Sequence, residues 1–158
     1  LARIEETRRR TRRALEGITQ EQLDWQPPVA NSIGTLLYHI AVIEMDWLFN
    51  EVKEGHMAQT IWDNFPYPVR EVGGKLSVVR GLTLAQHYER LDSTRTLLLD
   101  AFHMMSIEEY RRVRVFTDYD VTPEWVLHHL IQHESEHRGE ILTIRALSVH
   151  AAAAAASH

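Results

Sequence analysis

Two histidines lie four residues apart in the segment His133-Glu134-Ser135-Glu136-His137. The segment falls in a predicted helix that runs from Thr122 to about Val149, so both imidazoles lie on one face and can bind one metal ion. That face is otherwise apolar, and burying two imidazoles there costs free energy unless their ring nitrogens find partners. The spacing therefore predicts that His133 and His137 bind a metal.

The same five residues match the pattern H-E-x-x-H, in which the glutamate of metalloproteases acts as general base toward a metal-bound water. Glu134 is therefore a candidate catalytic residue. A zincin protease is not favoured, because Glu140 and Thr143 stand where metzincins carry a glycine and a third histidine. A di-iron carboxylate centre is not favoured either, because it needs a second E-x-x-H motif.

A tight site needs a third ligand from elsewhere in the chain. His39 is the best candidate, since it lies on the apolar face of a second predicted helix whose N-cap is Asn31 or Ser32. If this helix packs against the last one, three imidazoles converge and leave a fourth position for water or substrate. His129 is an additional candidate, either as an extra ligand or as a residue that orients a ligand, whereas His128 is expected to be exposed.

Three segments of the chain resemble the DinB superfamily. They are Ile18 to Pro27 after the first helix, Asn31 through His39, and His133 to Ile141. The superfamily includes YfiT-like metal-dependent hydrolases and thiol S-transferases that use bacillithiol or mycothiol.

The resemblance implies an all-α fold, an up-down-down-up four-helix bundle with a histidine triad. The triad maps onto His39, His133 and His137. Zinc or nickel is the implied metal, a low-molecular-weight thiol is a possible cofactor, and a homodimer is the implied assembly.

Composition sets further limits on the protein's class. The 158 residues fit one domain, predicted over 1–150, with an Ala-rich tail at 151–158 that is expected to fray. The absence of cysteine excludes disulfides and cysteine-ligated metal. No apolar run is long enough to span a bilayer and no signal region is present, so a cytoplasmic location without membrane contact is expected.

The first predicted helix is rich in arginine, which raises the question of an anionic partner. The net charge of −5 gives no general attraction to nucleic acid, so that partner is not favoured. We interpret the arginines as a solvated face around an apolar stripe, with an anion-binding patch as the alternative. The residues concerned are Arg3, Arg8, Arg9, Arg10, Arg12 and Arg13, around Ile4, Thr11, Leu15 and Ile18.

A long connection from Gly55 to Leu82 is rich in glycine, proline and aromatic residues. Connections of this length are usually functional or disordered, and we interpret this one as a flap near the mouth of the bundle, with plain surface packing as the alternative. Thr83 then begins a third helix with a capping box to Gln86. His87 and His103 lie off its apolar stripe and are expected to be exposed, and a short strand is predicted over 113–116.

These observations favour an enzyme in which His39, His133 and His137 hold a divalent ion that activates a water or a thiol for reaction with a small-molecule substrate. Glu134 would be the base in a hydrolase, or would orient a neighbouring histidine. Arg138 could hold an anionic substrate, although a structural or exposed position is favoured. The alternatives are a non-catalytic metal-binding protein of the stress response and an anion- or nucleic-acid-binding module.

Overall fold

The computed structural model describes residues 1–71 and 73–156. This part of the chain is mostly helical, which confirms the predicted all-α class, and it adds one small antiparallel sheet. The elements in chain order are α1 (Ala2–Ala14), α2 (Gln20–Asp24), α3 (Ile33–Trp47) with its π-helical continuation (Leu48–Val52), α4 (Gln59–Trp62), α5 (Leu84–His103), α6 (Ile107–Arg111), β1 (Arg114–Val115), β2 (Asp120–Val121) and α7 (Pro123–Ala156).

Polar side chains cap the N-termini of two long helices by accepting hydrogen bonds from free backbone N–H groups. The Ser32 hydroxyl accepts a hydrogen bond from the Thr35 N–H and so caps α3. Thr83 and Gln86 form the predicted capping box at the start of α5. These caps fix where α3, which carries His39, and α5 begin.

The four longest helices share one hydrophobic core, with α3 at its centre. Every residue of α3 from Ile33 to Met45 is buried, and α3 contacts both α5 and α7, while α1 packs along α7. Close contact between α3 and α5 depends on Gly34, because a Cβ there would lie 3.2 Å from Nε2 of His87. The expectation that His87 is exposed was therefore wrong, since 2% of it is accessible. The up-down-down-up order stays a prediction.

Four charged residues lie inside this core, one from each long helix. We call Arg8, Glu44, Arg95 and Glu134 the charged core. Nε of Arg8 donates to Oε1 of Glu134 at 2.9 Å, and its NH2 group donates to Oε1 of Glu44 at 2.9 Å. Arg95 donates to both Glu44 and Glu134, the latter at 2.8 Å. Two cations and two anions therefore balance in the interior.

The interpretation of the α1 arginines as a solvated face was wrong for Arg8, which is 5% exposed. Burial alone would lower the pKa of its guanidinium, but the charges of Glu44 and Glu134 outweigh burial and raise it. A backbone carbonyl, that of Leu91, accepts a further bond from Arg8 at 2.6 Å. Arg8 thus donates hydrogen bonds to three buried acceptors, two carboxylates and one backbone carbonyl.

The connection between α3 and α5 is anchored on α3 at two points. The hydroxyl of Tyr38 donates to the Tyr67 carbonyl at 2.7 Å and accepts from the Tyr67 N–H at 3.0 Å. Farther along, the Thr35 hydroxyl accepts from the Val79 N–H at 3.0 Å. The loop between these two anchors is thereby held along the helix that carries His39.

The C-terminal part of the chain bears on two further predictions, the short strand and the Ala-rich tail. The predicted strand over 113–116 is confirmed by β1, which pairs with β2 so that Arg114 faces Val121. α7 continues through the Ala-rich segment to Ala156, whereas Ser157 and His158 of the predicted tail lie outside the described residues. Among the helices described, none is both long and apolar enough to cross a bilayer.

Candidate metal centre

The structure brings together the three imidazoles that the sequence singled out. Nε2 of His133 lies 3.2 Å from Nε2 of His39 and 3.1 Å from Nε2 of His137. One ligand atom from each of the three residues lies within 4.8 Å of the others. Because α3 and α7 pack together, side chains 94 positions apart in sequence meet at one point.

These distances suit a tetrahedral ion with nitrogen ligands. Ligands about 2.0–2.1 Å from zinc, at tetrahedral angles, lie about 3.3–3.4 Å from each other. The two Nε2 separations are within a few tenths of an ångström of this value. Neighbouring imidazoles at such distances can share only some of the hydrogen bonds they need, and one cation satisfies all three nitrogens at once.

The electrostatics favour, at His39 and His133, the neutral imidazole that binds metal. Burial, followed by the neighbouring His137, lowers the pKa of His39 to about 4. Burial and then His137 and His39 lower the pKa of His133 to about 3. Protons therefore compete weakly with a cation for these two rings near neutral pH.

The outer nitrogens of the triad have few partners among the described residues. Oε1 of Glu140 lies 3.3 Å from Nδ1 of His137, one turn along α7, without the geometry of a hydrogen bond. Nδ1 of His39 is buried and has no hydrogen-bond partner within the described part of the chain. A carboxylate beside a ligating imidazole favours the tautomer whose other nitrogen faces the ion.

Glu134 lies next to a triad residue in sequence, but its carboxylate belongs to the charged core. Its two oxygens accept bonds from Arg8 and Arg95, and 1% of the residue is exposed. Burial would raise the pKa of this carboxyl, yet the two arginines outweigh burial and hold the pKa below its ordinary value. A carboxylate held in this way is a poor proton acceptor, which argues against the expected catalytic role.

A cavity of about 590 Å³ opens onto the triad. All three histidines line it, as do Arg70, Lys75 and Glu140. Its size suits a small molecule rather than a folded partner. The interpretation of 55–82 as a flap at the site agrees with this geometry, because Arg70 and Lys75 come from that connection.

The other histidines near the site have different roles. His128 is exposed, as predicted. His129 is not in the metal-binding group, because its ring stacks on Trp125 at an interplanar angle of 8° and also contacts Trp47. Arg138 does not line the cavity.

Residues of the charged core and two cations of the cavity were not identified from the sequence, although the sequence carried signals for some of them. Arg8 and Arg95 occupy positions on the apolar stripes of α1 and α5, and Glu44 interrupts an apolar run in α3. Charged residues of opposite sign at core positions indicate a buried ionic cluster. Arg70 and Lys75 gave no periodic signal, because they lie in a loop.

Comparisons with known proteins agree with this fold. A crystal structure of a conserved protein from Enterococcus faecalis is similar over 94% of each chain, with a TM-score of 0.71 and 16% sequence identity, which supports the fold alone. The search of curated proteins found no match. The family model of the DinB superfamily matches residues 3–141. Because this match covers most of the chain, the protein belongs to the DinB superfamily.

Proposed function

We propose that the protein is a metal-dependent enzyme that transfers a low-molecular-weight thiol to a small electrophilic substrate. The observation that carries the proposal is the triad of His39, His133 and His137 at the wall of a cavity of about 590 Å³. Three nitrogen ligands leave one position of a tetrahedral ion open for a reactant. When bound, a zinc or nickel ion would lower the pKa of a thiol and so raise its reactivity at neutral pH.

The chain's own residues supply binding, orientation and partial exclusion of water. α3 and α7 hold the imidazoles in place, and the charged core fixes the rotation of α7 through Glu134, beside His133 in sequence. The anchored loop contributes Arg70 and Lys75 to the lining of the cavity, and a reactant bound between the loop and the triad would displace water from the ion. Thiol transfer needs no general base from Glu134, whose oxygens are occupied by arginines.

Hydrolysis is the second candidate, and one observation favours it. Among the described residues, Glu140 is the carboxylate that lines the cavity. It lies near His137 and could accept a proton from an attacking water. Replacing Glu140 with Gln should lower a hydrolytic rate by about two to four orders of magnitude and leave thiol transfer largely intact.

Metal analysis combined with turnover assays tests the proposal. The purified protein is loaded with zinc or nickel, and transfer of bacillithiol or mycothiol to electrophiles is measured beside ester and amide hydrolysis. We expect one ion per chain and turnover in the thiol assays. His137→Ala should lose both, because a ligand is removed, whereas His128→Ala should keep both, because His128 is exposed.

Other outcomes distinguish the remaining functions. Stoichiometric metal without turnover in any assay would favour a non-catalytic metal-binding protein. Equal metal content in wild type and His137→Ala would contradict metal binding by the triad. Binding of nucleic acid that weakens steeply with salt would favour the third alternative, although Arg8 is buried and cannot contribute to it.

A further inference from the structure

The loop between the two anchors on α3 is built to hold its tip over the cavity. Tyr67 is fixed by Tyr38 and Val79 by Thr35, so both ends of the intervening segment are attached to α3. Within the segment, the Ser77 hydroxyl donates to the Pro68 carbonyl at 2.7 Å and closes its base. The two ends of the segment and its base are therefore held by hydrogen bonds.

The tip is closed by its own hydrogen bonds. The Glu71 N–H donates to the Lys75 carbonyl at 2.8 Å, and NH1 of Arg70 donates to the Gly74 carbonyl at 3.0 Å. Gly73 and Gly74 have φ values of 88° and 78°, which glycine adopts without the strain that other residues meet. These bonds fix the backbone at Arg70 and Lys75, and with it the positions from which their side chains extend.

Arg70 and Lys75 line the cavity together with the triad. Within the described residues, no carboxylate lies at ion-pair distance from either of them, whereas the other cavity charge, Glu140, lies beside His137.

Two cations without a carboxylate partner among the described residues line the same small cavity, an arrangement that suits an anionic ligand. Solvent-exposed cations beside a metal repel each other and the ion, and a negatively charged ligand relieves this repulsion. Arginine and lysine both form charge-assisted hydrogen bonds with carboxylate and phosphate oxygens.

We propose that the molecule bound in this cavity carries a carboxylate or phosphate group, which Arg70 and Lys75 bind while its reacting group faces His39, His133 and His137. This inference rests on the proposed function, because it specifies the substrate class of the same site. The volume of about 590 Å³ limits the molecule to the size of a small metabolite.

The test compares two thiols that differ in charge alone. 3-Mercaptopropionate and its neutral amide, 3-mercaptopropionamide, are titrated by calorimetry into zinc-loaded wild type and into the double variant Arg70→Gln, Lys75→Gln. We expect the double variant to bind the carboxylate thiol about tenfold more weakly and the amide with unchanged affinity, because only the charged probe loses its partners. Comparison within one protein and across variants separates this effect from direct binding of the carboxylate to zinc.

A control variant with the same change in net charge is Arg13→Gln, Lys53→Gln. Both residues are exposed and neither lines the cavity. We expect this control to bind both thiols as the wild type does. Unchanged affinity of the carboxylate thiol in the Arg70, Lys75 variant, or an equal loss for both thiols, would overturn the inference.

Two further arms complete the experiment. Inorganic phosphate and acetate are compared as competitors of 3-mercaptopropionate: stronger competition by phosphate assigns a phosphate-bearing ligand, and stronger competition by acetate assigns a carboxylate. Zinc content measured on the same samples separates this inference from the proposed function. Failure of the wild type to bind zinc would contradict the metal-dependent function, whereas normal zinc binding without charge preference would overturn only the anion site.

Discussion

Histidines with similar sequence surroundings occupy chemically different positions in this chain. His133 and His137 face each other across one turn of α7, and His39 meets them from α3. His129, one turn earlier, stacks on a tryptophan, and His87 is enclosed between helices. A histidine on an apolar face can thus be a metal ligand or a packing residue, and its packing partners decide which.

His87 should make the stability of the metal-free protein depend on pH. Burial, and secondarily Arg90, lowers its pKa to about 4, whereas an unfolded histidine has a pKa of about 6.5. The neutral ring therefore stabilises the fold above about pH 6.5, and this contribution is lost as the pH falls toward 4. The loss should approach about 1.4 kcal/mol per pH unit in that window.

Urea denaturation of the metal-free protein at pH 7, 6, 5 and 4.5 measures this dependence. In His87→Gln, which cannot titrate, the free energy of unfolding should fall less steeply with decreasing pH. The exposed His103 provides the matched control, and His103→Gln should follow the wild-type slope. A wild-type slope in His87→Gln would contradict the assignment.

At the scale of the helices, the charged core fixes how α1, α3, α5 and α7 are rotated about their axes. Each helix contributes one charge, and each arginine bonds to both glutamates. A rotation of α7 that moved Glu134 out of the core would also move His133 away from His39. The ionic cluster and the metal centre therefore constrain the same helix from adjacent residues.

Removing one charge from this cluster should destabilise the protein strongly. Glu134→Gln leaves two buried arginines with one carboxylate, and loss of one partner of a buried pair typically costs about 3–5 kcal/mol. Urea denaturation should detect a decrease of this size. Glu6→Gln is the matched control, because Glu6 pairs with Arg9 and Arg10 at the exposed surface, and it should leave stability nearly unchanged.

The same substitution separates structural from catalytic roles of Glu134. Activity of Glu134→Gln should be measured per folded, zinc-loaded molecule at low temperature. A rate close to that of the wild type would agree with a structural role. A loss of several orders of magnitude in fully folded, zinc-loaded protein would instead restore Glu134 as the base.

The four long helices could be predicted from the sequence because their signals are local, whereas the short helices α2, α4 and α6 were not predicted. The capping box of Thr83 and Gln86 and the spacing of His133 and His137 each lie within one or two turns. The pairing of charges in the charged core could not be predicted in the same way, because Arg8 and Glu134 are 126 positions apart and neither carries a motif that names its partner. The tip of the loop was also beyond prediction, since no periodic pattern sets where Arg70 points.

For the whole molecule, zinc should raise thermal stability through the triad. A ligand at 100 times its Kd stabilises the folded state by about 2.7 kcal/mol if the unfolded chain does not bind it. For a protein of this size, that corresponds to an increase in Tm of about 5–11 °C. Differential scanning fluorimetry with zinc and with magnesium measures the effect, and magnesium should give little, since it prefers oxygen ligands.

His137→Ala should abolish the increase in Tm, because two imidazoles bind zinc weakly. His128→Ala should retain it. An equal increase in all three proteins would show that zinc binds elsewhere. Assembly as a homodimer stays a prediction, and sedimentation of the same samples would test it.

The charged core also bears on how the chain reaches its native state. Because its charges come from four separate helices, a partly assembled form that lacks any one helix leaves a buried charge unbalanced. Such a form is penalised by several kcal/mol per ion unless it admits water. We therefore expect intermediates with three packed helices to be sparsely populated, so that the four helices assemble in a single cooperative transition.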